Sequence, residues 1–329
     1  MNKTVRINKY DNLKGLAIFL IVLGHMTFLT QFESIRIIHA YIYIIHLPIF
    51  FFVSGYFSKI GPNEPIKAFK RLFIPYIIFC IIWDLFNMFV LGKPHNNLLF
   101  INPGYALWFL ISLFFMKLLL PIIDKFRYPV LIALIFAVLG GFLNMDILGI
   151  SRTLAFLPIF LIGFYYNDYK NLLNDNISSW LEKKYVIYLL FIFTTLSCIL
   201  AAIFIPATIL ILKNQFVVYN LTNVIYRFII IILGIANTLL LNRLMTNRNN
   251  FLTKIGKNSM GVYVLHVYFI AILKITMRPY FSHHEKLFLI TAILISMILT
   301  FVLSRDFITK GINKLTDTVF NLLCKTSEL

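Results

Sequence analysis

The chain has 329 residues, of which 60% are hydrophobic and only 13% charged, about half the charged fraction of a soluble domain. That surplus is more than one protein core can hide, which excludes a soluble or disordered chain and makes lipid the solvent that the composition fits. The net charge of +17 does not point to nucleic acid, because Lys and Arg sit in short loops between apolar spans and no basic patch with interleaved stacking residues stands outside them.

Ten apolar stretches, each close to the ~20 residues that a crossing helix needs, follow in chain order at 12–32, 40–58, 72–91, 105–123, 129–144, 152–167, 185–205, 217–241, 259–277 and 286–305. The first follows a basic N-terminus but lacks a small-residue cleavage site, so it reads as an uncleaved span rather than a signal peptide. The sixth is short and carries Pro158; between the seventh and eighth, "IPATILILKNQ" reads as a re-entrant or interfacial piece. Alternating sides along the chain puts 22 Lys and Arg on the side of the N-terminus and 7 on the other, with Arg227 inside a span. The positive-inside rule then makes both termini cytoplasmic. No internal repeat stands out, and residues 1–329 read as a single transmembrane domain without an appended soluble one. The expected fold is all-α: a polytopic membrane helical bundle of about ten transmembrane helices. Cys80, Cys198 and Cys324 are far apart, with no spacing for a disulfide framework or a metal.

Ionisable groups inside spans are expensive and face the bundle interior or a wet cavity. Here they are His25, His46, Asp84, Arg227 and His266. On a helix of 100° per residue Asp11, Lys14 and His25 fall on one stripe, with Lys14 roughly 16 Å and Asp11 roughly 21 Å from His25 along the axis. Such a stripe holds a polar molecule at its charged end and presents an imidazole deeper in the membrane; the plainer alternative is an interfacial Asp11–Lys14 pair and a His25 that bonds to a neighbouring helix. In the second span His39 and His46 lie near one face, and Pro48 is expected to break the helix locally. The alternative is a kinked packing helix. Lys67, Lys70 and Arg71 form a basic group suited to phosphate, or simply anchor the inner surface. Trp108 reads as an interfacial ring. Arg152 orients a polar acceptor or anchors the outer surface. Arg227 needs a partner, for which Asp84 is the economical candidate. His266 is a packing residue or part of a site.

Taken together, "DNLKG" with ten residues between Lys14 and His25, "IIHLPIFFFVSGYF", "RLFIPY", "LWFL" and "LPIFLIGFYY" resemble, in order and over essentially the whole chain, the acyltransferase 3 family of integral membrane proteins. The version here is similar to the branch of fucose 4-O-acetylases and related sugar O-acetyltransferases, with Lys14 where many members have Arg. The resemblance implies a ten-helix core in the cytoplasmic membrane of a bacterium. It also implies transfer of an acyl group, usually acetyl, from cytoplasmic acyl-CoA to a hydroxyl of a surface-glycan or exopolysaccharide sugar or its lipid-linked precursor. It implies His25 as the catalytic residue with Lys14 as its paired basic residue and Asp11 beside it, Arg71 in acyl-CoA binding, acetyl-CoA as co-substrate, and no metal. The esterase-like domain that some members append is missing from this sequence, so the acceptor is handled in the membrane domain or by partners in glycan synthesis.

The residues agree with that chemistry. The phosphates of CoA suit Lys67, Lys70 and Arg71, and the slender pantetheine arm suits the first-helix stripe. A neutral His25 is suited to take the proton of the attacking hydroxyl, and an acyl-histidine intermediate is the variant. His46, Trp108, Arg152 and His266 are the candidates for holding the acceptor. The rival reading is a transporter of a glycan or lipid-linked sugar, which Pro-broken spans and intramembrane histidines also suit, although no two-half repeat is visible. A non-catalytic partner in a glycan-synthesis complex is a third.

Overall fold

Each expected span lies where a helix forms, and the helix ends are set by local chemistry. The computed structural model describes residues 6–27, 29, 32–102, 104, 106–143, 147–172, 183–210, 212, 220–281 and 284–324. In chain order the helices are α1 (Asn8–Thr27), α2 (Glu33–Tyr56), α3 (Glu64–Phe89), α4 (Trp108–Ile123), α5 (Pro129–Leu139), α6 (Ile150–Phe164) and α7 (Tyr166–Leu172). They continue as α8 (Lys184–Phe204), α9 (Ala207–Leu210), α10 (Leu221–Leu244), α11 (Phe251–Lys257), α12 (Ser259–Phe281), α13 (Glu285–Leu303) and α14 (Asp306–Leu323). No strand occurs among the described residues. Seven helices are long and apolar enough to cross a membrane, namely α2, α3, α6 with the turn before it, α8, α10, α12 and α13. Trp108–Ile123 and Pro129–Phe142 are shorter apolar helices, and α1 has 20 residues but carries Lys9, Asp11 and Lys14 in its first two turns. Of the connector "IPATILILKNQ", α9 with residues 205, 206 and 212 is described; the rest lies outside the described residues.

Contacts between turns gather them at two ends of the bundle. At the end that carries Lys14, the Tyr10 and Tyr56 rings lie 4.1 Å apart, Lys117 Nζ donates to Ser58 Oγ at 2.9 Å, and Tyr165 Oη donates to Asp124 at 2.5 Å. Asn258 Nδ2 donates to the Ser304 carbonyl there at 2.9 Å. At the far end His39 meets Thr27, Ser34 meets Glu285, and the Leu148 amide donates to the Ile101 carbonyl at 2.8 Å. Successive long helices therefore run alternately between the two ends.

Helix α2 is the hub, packed by α1, α6, α8 and α10. The proline expectation is corrected here. Pro48 lies inside a continuous α2, without a break. Proline removes a backbone donor and leaves the carbonyl four residues earlier without its bond. Gly234 of α10 brings its backbone up to that spot, so close that an added Cβ would be 3.1 Å from the Ile44 oxygen and 3.0 Å from Pro48 Cγ. Pro158 is likewise carried inside α6. Two other crossings are closer still. A Cβ on Gly55 would sit 1.9 Å from the Phe160 oxygen, and one on Gly163 2.1 Å from the Phe52 oxygen, so α2 and α6 touch backbone to backbone. A Cβ on Gly15 would sit 2.3 Å from the Leu252 oxygen and one on Gly256 1.8 Å from the Asp11 oxygen, which places α11 directly on the first turns of α1. Small residues at such crossings are how helices approach where lipid supplies no hydrophobic drive.

The expected Arg227–Asp84 pair does not form. Arg227 is 1% exposed, and its Nε donates to the Ala137 carbonyl at 2.8 Å while Nη2 donates to the Ser151 carbonyl at 3.1 Å. Ala137 is in the last turn of α5, where carbonyls have no partner within their own helix and the helix dipole is negative. The cation is thus held by backbone oxygens rather than by a carboxylate. Asp84 instead binds His95 Nδ1 at 2.5 Å and accepts from the Asn96 amide at 3.0 Å, fixing the loop after α3.

Gly256→Ala is expected to cost at least the 1–3 kcal/mol typical of overpacking, and to lower the thermal unfolding midpoint in detergent. Gly311→Ala on α14, where a Cβ meets nothing within 4 Å, should leave it unchanged or raise it slightly.

Candidate functional site

At the charged end of the first helix, Asp11 and Lys14 pair as their spacing of three predicts. Asp11, in the first turn of α1, binds Lys14 Nζ at 2.9 Å and Arg6 Nε at 2.6 Å. Asp11 is thus saturated by two cations near the surface and does not reach His25, about four turns away. Its neighbour Asn12 is fully buried. Asn12 Nδ2 donates to the carbonyls of Thr246 and Arg248 at 2.9 and 3.0 Å, and its Oδ1 accepts from Thr253 Oγ1 at 2.6 Å. These bonds tie the start of α1 to the segment before α11 and to α11 itself, whose own start is a capping box of Asn250 and Thr253.

Lys14 opens onto a cavity of about 290 Å³ between α1, α2, α3 and α4. Lys59, Lys67, Arg71 and Lys117 also line it, and Glu64 is its one acidic wall residue. Glu64 is engaged by Lys67 at 2.7 Å. Among the described residues no carboxylate lies within ion-pair distance of Lys59, Arg71 or Lys117. Uncompensated cations lining one concavity make a strong local positive potential, which is a site for an anion. Lys70 and Arg71 are carried on a π-helical turn, Phe69–Phe73, within α3; such turns are found mostly at functional positions. The sequence marked Lys67, Lys70 and Arg71 as a group. It did not single out Lys59 and Lys117, which come from other segments.

Toward the far end of the same helix, His25 sits in a cluster of rings. Its ring centroid is 5.2 Å from that of His266 on α12 and 6.2 Å from that of Tyr43 on α2, and its Nδ1 is 3.4 Å from the Tyr43 hydroxyl. Tyr43 in turn packs on His39 and His46, at 4.4 and 4.8 Å between centroids. Backbone carbonyls fix two of these imidazoles. His46 Nδ1 donates to the Ile42 oxygen at 2.6 Å and His266 Nδ1 to the Val262 oxygen at 2.9 Å. A carbonyl can only accept, so the neutral ring carries its proton on Nδ1 and offers the Nε2 lone pair. His266 Nε2 is buried and has no hydrogen-bond partner among the described residues. A buried acceptor left open in this way is available to a donor from outside the protein. Tyr43 was legible in hindsight: it is four residues after His39 and three before His46, the spacing of neighbours on one helix face.

Trp108 and Arg152 meet, but not as interfacial anchors. Trp108 is 5% exposed and the Arg152 guanidinium lies over its ring, 4.1 Å from the centroid. Phe109 links this pair to the cluster: its ring is 5.5 Å from that of Tyr263, one turn before His266, and 4.8 Å from that of Phe51 on α2. The structure therefore places Asp11, Lys14, Lys67, Lys70 and Arg71 at one end and His25, His46, His266, Trp108 and Arg152 deeper, joined by α1. Among the described residues no group of three or more His, Cys, Asp or Glu has the arrangement of a metal site.

A double-mutant cycle over Trp108→Leu and Arg152→Gln, read by thermal unfolding in detergent, should give a coupling of about 1–2 kcal/mol, the range of a desolvated cation–π contact. A coupling near zero would show that the two rest on separate neighbours.

Comparison with known proteins bears on the same elements. Residues 7–305 match the family model Acyl_transf_3, described as an acyltransferase domain. No curated protein and no solved structure matches the chain. The match runs from just before α1 to the loop after α13, so it takes in the Lys14 cavity and the His25 cluster together. With a family match over nearly the whole length and seven helices of membrane-crossing length, the chain belongs to the acyltransferase 3 family and is a multi-pass membrane protein.

Proposed function

We propose that the protein is an O-acyltransferase of the cytoplasmic membrane of a bacterium. In this reading ten helices cross, both termini are cytoplasmic, and an acyl group, acetyl in the first instance, passes from cytoplasmic acyl-CoA to a hydroxyl of a sugar. The sugar belongs to a surface glycan or its lipid-linked precursor, as in the fucose 4-O-acetylase-like branch. One observation carries the reading: an anion cavity with uncompensated cations and an imidazole cluster stand on one helix, with Lys14 and His25 about 16 Å apart along its axis.

The phosphates of CoA lie against Lys59, Arg71 and Lys117, and the pantetheine arm runs along α1 toward His25. The acceptor hydroxyl arrives from the far end, in reach of His46, Trp108, Arg152 and His266. His25 takes the hydroxyl proton as the oxygen attacks the thioester carbonyl carbon. The carbon–sulfur bond then breaks, the proton passes to the CoA sulfur, and the products are the sugar ester and free thiol. His266 Nε2, an open acceptor in the same cluster, takes a hydrogen bond from the acceptor sugar. Lys14 is held by Asp11, so it serves to position the donor rather than to touch the carbonyl.

The test is release of free CoA from acetyl-CoA by the full chain in nanodiscs, with and without a lipid-linked glycan extract. His25→Ala should lower turnover by about 10²–10⁴, the usual worth of a positioned base, while retaining CoA binding. Arg71→Ala should raise the KM for acetyl-CoA roughly tenfold or more, since a hydrogen bond to a charged group is worth about 1.5–3 kcal/mol. Undiminished turnover in His25→Ala would overturn the mechanism, and a wild type that neither binds nor cleaves acetyl-CoA would overturn the function.

A further inference from the structure

A second cavity, of about 560 Å³, lies beside the first and shares Lys67 and Arg71 with it. Its size is in the range that holds a cofactor-sized ligand. One wall is the start of α3, with Lys67 and, on its π-helical turn, Lys70 and Arg71; the facing wall is α14, with Asn313, Thr316 and Asp317. Helix α14 lies wholly beyond the residues that match the family, which end at 305. It is amphipathic. Ile312, Thr316 and Phe320, spaced four apart, are its buried stripe, and they hold it against the start of α3.

Lys70 is held between two groups of this helix. Its Nζ is 2.8 Å from Asp317 and stands over the Phe320 ring, 4.8 Å from the centroid. The Lys70 and Asp317 side chains are 36% and 53% exposed, so the pair is worth little on its own and a ligand with several negative charges displaces the carboxylate. Pro75, Met260 and Ile312 give the same cavity an apolar lining. Cations on one side, polar groups on the other and an apolar stretch between them match a phosphorylated nucleotide: charge for the phosphates, apolar surface for the base.

We infer that α14 is the nucleotide-side wall of the donor site, and that Asp317 is a built-in carboxylate that competes with ligand phosphate for Lys70. The inference rests on the acyl-CoA reading above and names the part of the donor that α14 meets. The two cavities then divide the molecule, with the nucleotide end against α14 and the acyl arm entering beside Lys14.

The experiment is calorimetric titration of CoA into the full chain in nanodiscs at low and high salt, for the wild type and three variants. Asp317→Asn frees Lys70 and should tighten CoA binding about two- to fivefold, the span of an exposed pair. Asn313→Asp adds a carboxylate to the same wall and should weaken binding by a similar factor. Both effects should shrink at high salt. Thr318→Ala, on the opposite side of α14 from the buried stripe, should bind as the wild type does. If the wild type binds CoA and both charge variants stay within twofold of it, or Thr318→Ala shifts as much as they do, α14 is a packing helix and the inference falls while the donor reading stands. If the wild type binds no CoA, the donor reading itself falls and takes this inference with it.

Discussion

The contact on which the rest depends is that of two backbones, α1 against α11, at Gly15 and Gly256. Side chains at a helix crossing can repack and let the helices roll; bare backbone in van der Waals contact cannot. The crossing fixes how α1 is turned about its own axis, and the Asn12 bonds to Thr246, Arg248 and Thr253 pin it a second time. With that rotation set, Lys14 must face the cavity and His25 must face α2 and α12. The second close crossing, Gly55 with Gly163, does the same for α2 against α6 and so aims Tyr43 and His46. The polar groups of the bundle interior are therefore aimed by glycines that make no polar contact themselves.

Charge is distributed on the same economy. Several cations are answered: Arg6 and Lys14 by Asp11, Lys67 by Glu64, Lys70 by Asp317, and Arg227 by the Ala137 and Ser151 carbonyls. Lys59, Arg71 and Lys117 face one cavity with no carboxylate in ion-pair distance among the described residues, Lys117 meeting only the Ser58 hydroxyl. A protein with 30 Lys and Arg against 13 Asp and Glu has to leave cations without acids somewhere. What matters is that three of them meet in one concavity.

Relations along one helix were legible in the sequence, and relations between helices were not. Spacing placed Asp11, Lys14 and His25 on one stripe and marked Lys67, Lys70 and Arg71 as neighbours, because the helical period fixes which residues share a face. Which face meets which helix is set by tertiary packing. The approach of His266 to His25, across 241 positions of chain, the arrival of Lys59 and Lys117 beside Arg71, and the burial of Trp108 under Arg152 left no local trace. Arg227 shows the cost of matching charges by economy. The nearest titratable partner was a carboxylate, but a helix end supplies carbonyls that serve equally well, and Asp84 was already bound to its own loop. Pro48 shows the same limit, since the glycine that accommodates it lies on another helix.

The π-helical turn in α3 carries a consequence of its own. Such a turn is one residue longer than an α-turn, so it advances the angular phase of everything after it by about 100° relative to an uninterrupted helix. The part of α3 before the turn, which bears Lys67, and the part after it, which bears Trp83 and Asp84, therefore keep separate phases within one continuous helix. Each end can be aligned to its own surroundings, cavity at one end and loop at the other, without turning the opposite end out of place. If residues 69–73 wound as an ordinary α-turn with no residue lost, that independence would go: one end would keep its alignment, and the other would be rotated by more than a quarter of a turn.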